Sequence, residues 1–161
     1  IYQLLDCFIR YFLTFVEDNM RESDFWAHHI NTPEVNNWCG LSFEKICLLH
    51  IPRIKMALHF DTISTQTYSW RSKTGERGAQ IDLVIDRADG FTNICEVKYS
   101  KYEYALDKSE FEKIENRVSK FESETRPDNG TFITIITTKG LEKNKYSNDI
   151  HSVITLDDII E

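Results

Sequence analysis

Three charged side chains within one predicted β-hairpin, residues 80–98, have the types and spacing of a metal-assisted reactive site. Asp82 lies on the first predicted strand, and Glu96 and Lys98 lie on the second. The loop Ala88-Asp89-Gly90 ends in glycine, as three-residue hairpin loops with a left-handed last position do. This loop sets Asp82 opposite Glu96, and the alternation of strand side chains puts Lys98 on the same face.

Two carboxylates in directly opposed positions repel each other, because their Cβ atoms are only about 5 Å apart. A divalent metal between Asp82 and Glu96, with Lys98 beside it, is the simplest chemical interpretation. The alternative is an ordinary solvated hairpin face, since charged residues make up 28% of the chain. The apolar character of the opposite face favours the site; that face is predicted to hold Ile81, Leu83, Ile85, Cys95 and Val97.

Length and composition limit the class of protein. With 161 residues and 41% hydrophobic residues, the chain can form one domain with a real core, or one domain and part of another. The net charge of −7 argues against strong nonspecific binding of nucleic acid, which depends on neutralising phosphates. The four cysteines lack a metal-type C-x-x-C spacing, which indicates a cytoplasmic protein without structural disulfides.

The N-terminal segment predicts a helix with an apolar stripe over about residues 2–20. The stripe is too short for a membrane span and is interrupted by Asp6 and Arg10, so we expect no membrane partner. It also lacks the basic start and the cleavage site of a signal peptide. We expect this helix to pack against a neighbouring domain, and the start at Ile1 leads us to expect a fragment of a larger protein.

The remaining pattern predicts an α/β fold around a mixed central sheet. A turn-like stretch at residues 31–40 precedes a helix that Pro52 should kink, and Glu44 lies at the edge of that helix's apolar stripe. Ser109 and Glu112 form a capping box that predicts the start of a later helix. The predicted elements are a helix at 42–60, a strand at 62–71, the hairpin at 80–99, a helix at 109–124, a strand at 131–138, a strand at 153–155 and a helical turn at 156–160.

The element order αβββαβ, with Asp82, Glu96 and Lys98 on the second and third strands, resembles the PD-(D/E)XK nuclease superfamily. The resemblance covers roughly residues 40–138 and implies a restriction-endonuclease-like core. Glu44 on the preceding helix matches an acid that many members carry there. The specificity of this resemblance comes from the element order, because the motif itself is short.

Longer strings resemble the C-terminal region of archaeal-type AAA ATPases of the kind found in Bacteroidetes. They are GLSFEKICLLHI, YSWRSKTGERGAQIDLVIDR and NICEVKYS. The resemblance implies that residues 1–37 end a linking, winged-helix-like part and that residues 38–161 form a nuclease-like domain. An ATPase module of the same protein is then the expected partner, since this chain has no P-loop motif of its own.

The resemblance also implies a metal-dependent nuclease that hydrolyses phosphodiester bonds of DNA. Mg²⁺ or Mn²⁺ would be held by Asp82, Glu96, Glu44 and the backbone carbonyl of Val97. Lys98 would orient the attacking water or stabilise the pentavalent phosphorus.

Substrate contacts are expected from Gln80, at the edge of the site, and from the basic side chains Arg71, Lys73 and Arg77 in the preceding loop. Solvated loop charge is an equally good interpretation of those three bases.

Two other hypotheses remain open at this stage. The domain can be a catalytically inactive, nuclease-like module that docks onto its ATPase, as the acidic net charge and the apolar N-terminal helix suggest. Alternatively, the hairpin is purely structural, with Lys98 bridging Asp82 and Glu96.

Overall fold

The computed structural model describes residues 6–17, 24–73 and 79–160. Its helices are α1 (Cys7–Tyr11), which continues as a π-helical turn (Phe12–Val16), α2 (Phe25–His29), α3 (Pro33–Leu49), α4 (Ile51–Ala57), α5 (Lys108–Thr125), a short 3-10 turn (Ser147–Asp149) and α6 (Leu156–Ile160). Its strands are β1 (Thr65–Arg71), β2 (Gln80–Arg87), β3 (Phe91–Lys98), β4 (Gly130–Thr137) and β5 (Ser152–Thr155). None of the helices within these ranges is long and apolar enough to cross a membrane.

The five strands form one mixed sheet in the order β1-β2-β3-β4-β5. β1, β2 and β3 are antiparallel neighbours, whereas β3, β4 and β5 run parallel. α5 connects the parallel strands β3 and β4, as a crossover between parallel neighbours requires. The predicted α/β fold with a mixed central sheet is therefore confirmed.

Helices cover both faces of the sheet. On one face, α3, α4 and α6 pack against β2, β3, β4 and β5; the buried members of this cluster are Phe43, Cys47, Ile54, Phe60, Leu83, Ile85, Cys95, Ile136, Ile154 and Ile159. On the other face, α5 buries Phe111 and Ile114 against Ile135, and Phe121 against Val84 and Ile94. Adjacent residues of one strand thus enter opposite cores, as the pleat dictates.

All four cysteines are reduced, and Cys47 and Cys95 lie in the core among apolar side chains. Burial raises the pKa of Cys47 to about 12, so this thiol stays protonated at neutral pH. Cys7 is only half-buried.

The N-terminal helices pack onto the start of α3 through aromatic rings. Phe15 is buried and lies 5.5 Å from Trp26 and 5.6 Å from Trp38, measured between ring centroids. Trp38 belongs to α3, so the segment predicted to face a neighbouring domain also contacts this one. Phe8 nevertheless keeps 72% of its surface exposed.

Two predicted secondary-structure assignments before the sheet are wrong. Residues 33–40, predicted as a turn, begin α3, because Thr32 caps the helix by accepting from the Val35 amide and Pro33 stands in the first turn. The predicted domain boundary after residue 37 therefore falls inside a continuous helix. Pro52 does not kink one long helix; the helix ends at His50, and Pro52 stands in the first turn of α4.

The predicted capping box of Ser109 and Glu112 is also wrong. Asp107 caps α5, with its side chain accepting a hydrogen bond of 2.9 Å from the Glu110 amide. Aspartate is as good an N-cap as serine, and its position begins the helix one residue earlier. This start places Glu110 in the first turn of α5.

The hairpin of β2 and β3 has the predicted register, but its alternation is broken at one point. Leu83 pairs with Cys95 and the pairing continues to the turn, as predicted. Between the pairs Tyr68–Val84 and Trp70–Ile81, however, one residue of β1 faces two residues of β2. This bulge turns Ile81 into the α5-side core with Val84, so Ile81 does not share the face of Leu83 and Ile85 as predicted.

The hairpin turn needs glycine at its last position. Gly90 has a φ of 87°, and its amide donates to the Arg87 carbonyl at 3.0 Å. A Cβ added there would lie 2.5 Å from the Asn129 side-chain nitrogen, which itself donates to the Asp89 carbonyl. By contrast, a Cβ added at Gly40, inside α3, would meet no atom of the described residues within 4 Å beyond its chain neighbours and its own helix backbone.

We expect Gly90→Ala to lower the free energy of unfolding by about 1–2 kcal/mol or more, because alanine is strained at positive φ and would displace Asn129. Gly40→Ala is the matched control and should raise it by about 0.5–1 kcal/mol, since alanine is the better helix former and the space is open. Urea unfolding followed by circular dichroism measures both changes. Equal midpoints for the two variants would contradict the proposed turn geometry.

Candidate functional site

Glu96 lies between two basic side chains near the end of β3. Its Oε1 is 3.0 Å from Lys98 Nζ, and its Oε2 accepts a hydrogen bond from Arg117 Nη1 of α5. The Glu96 side chain is only 15% exposed, and those of Lys98 and Arg117 are 25% exposed. Both oxygens of a mostly buried carboxylate are therefore neutralised by charge-assisted contacts.

Lys98 is held from a second side by α5. Its Nζ lies 3.3 Å from Glu110 Oε2, and Glu110 also pairs with Lys113. Burial alone would lower the pKa of Lys98, but the charge and hydrogen bond of Glu96 and the charge of Glu110 raise it above its usual value. Lys98 is thus a fixed cation at neutral pH. It bridges Glu96 and Glu110, which corrects the structural hypothesis in which it bridged Asp82 and Glu96.

Asp82 belongs to a separate hydrogen-bonded chain on β1 and β2. Gln80 Nε2 donates to Asp82 Oδ1 at 2.7 Å, and Arg71 Nη2 donates to Gln80 Oε1 at 2.6 Å. All three side chains are exposed. The paired register of β2 and β3 ends at Leu83 and Cys95, one position before the predicted opposition of Asp82 and Glu96. The bulge at this end of β2 therefore sets the direction of Asp82.

Glu44 projects from α3 toward these acids. It lines an open groove of about 510 Å³ together with Val97 and Lys98. Burial raises the pKa of Glu44 above its usual value, and the charges of Asp82 and Glu96 raise it further. The charges of Asp82 and Glu96 therefore reach Glu44, although the three acids come from three different elements.

The donor set suits a hard divalent cation in its chemistry. Carboxylate oxygens and a backbone carbonyl are the ligands that Mg²⁺ prefers, and mutual repulsion of Glu44 with Asp82 and Glu96 is what such a cation relieves. Across residues 6–17, 24–73 and 79–160, no three acidic, histidine or cysteine side chains already converge on one point. Glu96 would first have to exchange one of its ion pairs for the metal.

The other predicted site residues lie around this cluster. Lys73 is exposed and its backbone amide donates to Glu124 of α5 at 3.2 Å, which ties this loop to the helix. Arg77 lies outside the described residues. Trp70 packs edge-on against Phe121, with 5.4 Å between ring centroids. Tyr99 packs against the core on the α3 side of the sheet.

Residues of α5 complete the site, and sequence reasoning did not identify them. Arg117 and Glu110 hold Glu96 and Lys98 from this helix. Glu110, Lys113 and Arg117 recur at helical spacing beside the apolar stripe of α5, which is a periodic signal in the sequence. The spacing alone does not reveal which strand these side chains contact; that follows only from the position of α5 as the crossover between β3 and β4. The pKa of Tyr104 is raised as well, mainly by burial; the charge of Lys98 opposes this rise and the charge of Glu110 adds to it.

Comparison with known proteins gives a family but no activity. The family model DUF234, described as archaeal and bacterial proteins of unknown function, matches residues 8–120. A crystal structure of a protein of unknown function, AF1548, is 18% identical to the chain, with a TM-score of 0.46. The match covers 66% of this chain and 56% of that protein, so the chain spans little more than half of that protein's length. Among curated proteins, none matches the sequence significantly.

The opposite pKa directions of Glu44 and Glu110 predict opposite effects of removing their charges. The raised pKa of Glu44 means that ionising it costs stability, so Glu44→Gln should raise the melting temperature at pH 7 in EDTA. Lys113 and Lys98 lower the pKa of Glu110, so Glu110→Gln should lower the melting temperature there, by about 1–3 °C.

Both effects should fade in acid. The gain from Glu44→Gln shrinks as the pH falls through the raised pKa toward 4.5, and the loss from Glu110→Gln disappears below 4.5, as the pH falls through its lowered pKa. Melting temperatures of wild type and the two variants between about pH 3 and pH 8 measure both differences, since this range includes the pH at which a glutamate ordinarily titrates. The same sign for both variants at pH 7 would contradict the assigned surroundings of one of them.

Proposed function

The chain belongs to the DUF234 family, and we propose that it is a metal-dependent nuclease domain that hydrolyses phosphodiester bonds of DNA. The reactive site is the region where β2 begins and β3 ends, beside α3 and α5. Mg²⁺ or Mn²⁺ is the proposed cofactor.

One observation carries this proposal: Glu96 and Lys98 are in direct contact, 3.0 Å apart, and Lys98 lines the same open groove as Glu44. Lys98, which is only partly buried, and the Glu44 carboxylate line the same accessible groove, so they offer charges of both signs to a ligand. Nucleic-acid hydrolysis needs this combination, because a phosphodiester is an anion and its attacking water must be activated. The resemblance to PD-(D/E)XK nucleases, carried by the order of the elements, agrees with this chemistry.

The acids share one task in the proposed mechanism, and neighbouring polar side chains orient them. Asp82, Glu96, Glu44 and the Val97 carbonyl would hold the cation. A bound divalent cation would lower the pKa of its water and neutralise charge on the phosphate. Gln80 donates to Asp82 and so keeps one of its oxygens oriented, while Arg71 holds Gln80 in turn.

Lys98 stabilises the charge that builds up on the phosphate. Its ammonium stays protonated because Glu96 and Glu110 raise its pKa, so it donates hydrogen bonds and does not act as a base. Its two carboxylate partners also fix its position before substrate arrives, which lowers the cost of ordering it in the transition state.

A second candidate function is supported by a different surface. Apolar side chains on the N-terminal helices remain exposed, Phe8 by 72% and Leu13 by 51%. Single exposed apolar residues are common, but two within one short helical segment suit a partner of the same polypeptide. In this alternative the domain docks onto the proposed ATPase module and cuts nothing.

Cleavage assays distinguish the two. We expect wild-type protein with Mg²⁺ or Mn²⁺ to cut supercoiled plasmid, linear duplex or single-stranded DNA, and to cut nothing in EDTA. Lys98→Ala should slow cutting by about 100-fold or more, because it removes a preorganised donor at the phosphate. Lys108→Ala is the matched control, since Lys108 lies on the same helix as Glu110 but pairs only with exposed Glu112 in the described contacts. Its rate should equal that of wild type.

Cutting that Lys98→Ala retains in full would reveal a contaminating nuclease or a wrong assignment of Lys98. Absence of cutting by wild type under all these conditions would instead favour the docking module. That alternative then predicts that Phe8→Ser weakens binding to the ATPase part while Asp82→Asn does not.

A further inference from the structure

We propose that Arg117 competes with a divalent cation for Glu96, and that it turns to the substrate phosphate once the cation has taken its place. This inference rests on the proposed function, because it gives Arg117 a positioning role at the same site. The juxtaposition that carries it is Arg117 Nη1 on Glu96 Oε2 while Lys98 occupies Oε1.

The two bases on Glu96 are not equivalent. Lys98 has a second carboxylate, Glu110, within 3.3 Å, so it stays in place when Glu96 changes partner. Arg117 comes from α5 and covers the oxygen that the hairpin itself leaves open. A cation that takes Glu96 as a ligand through Oε2 meets a guanidinium already bound there, and repulsion between the two positive charges favours displacement of Arg117.

The local charge supports the proposed movement of Arg117 to the substrate phosphate. Lys98, Lys113 and Arg117 on this side face two acids, Glu96 and Glu110, which leaves one positive charge in excess. Neutralisation of Glu96 by a metal would increase that excess. A guanidinium that has lost its carboxylate binds a phosphate well, since its planar donors match two phosphate oxygens.

Manganese binding tests the competition without any cleavage. Free Mn²⁺ is measured by its paramagnetic resonance signal during titration of the metal-free protein at constant ionic strength. Arg117→Gln should lower the Kd for Mn²⁺ by about tenfold or more, because a charge-assisted hydrogen bond no longer has to be broken. Glu96→Gln should abolish the tight binding, and Lys108→Gln is the control for a general change of charge.

A second variant covers the case in which Arg117→Gln does not fold, which circular dichroism in EDTA would show. Arg117→Lys keeps the charge but lacks the planar fork, so the Kd should fall by less than in Arg117→Gln. The proposal is wrong if neither variant that folds binds Mn²⁺ more tightly than wild type does. It is also wrong if Lys108→Gln tightens binding as much.

The outcomes separate this inference from the nuclease proposal. Tighter Mn²⁺ binding by Arg117→Gln with no cleavage by any protein supports the competition and overturns the hydrolase. Metal-dependent cleavage by wild type, with unchanged Mn²⁺ affinity in Arg117→Gln, overturns the competition alone. If both hold, Arg117→Gln should also raise the KM for DNA, because the substrate phosphate has lost a partner.

Discussion

The alternation of side chains along β3 determines where each charged group of the site can lie. This strand is hydrogen-bonded on both sides, antiparallel to β2 and parallel to β4. Ile94 and Glu96 therefore face α5, while Cys95 and Val97 face α3. Both faces are covered, so Glu96 and Lys98, which pair with each other along the strand, find their further counter-charges on the helix that covers their face. The choice of Arg117 and Glu110 on α5 follows from this constraint.

The resulting site is divided by charge. Toward α5, bases outnumber acids around Glu96 and Lys98. Toward α3 and β2, Glu44 and Asp82 add negative charge, and the raised pKa of Glu44 reflects burial and that repulsion. Glu96 stands at the boundary between the two halves. A cation is attracted from one side and an anion from the other, which is the arrangement that metal-assisted phosphate chemistry needs.

Local patterns predicted the elements well, because each of them carries its own periodicity. β4 was predicted from its β-branched run and the hairpin register from its glycine turn. Errors arose where two signals of similar strength competed, as with Asp107 against Ser109 for the cap of α5. The bulge opposite Ser69 has no local signal, because it depends on how β1 pairs with β2. Arg117 was missed for the same reason, since only the crossover brings it to Glu96.

The cost of burying charge bears on why Glu96, Lys98 and Arg117 form a cluster in this fold. Mostly buried ion pairs contribute little net stability, because desolvation offsets most of their attraction, and apolar side chains would fill the same space at least as well. A fold stabilised only by packing would have no need of Glu96, Lys98 and Arg117 in this interior position. Their side chains keep 15–25% of their surface exposed, and Lys98 also lines the groove with Glu44. A cluster that adds little to stability and remains accessible is better explained by binding and chemistry than by structure.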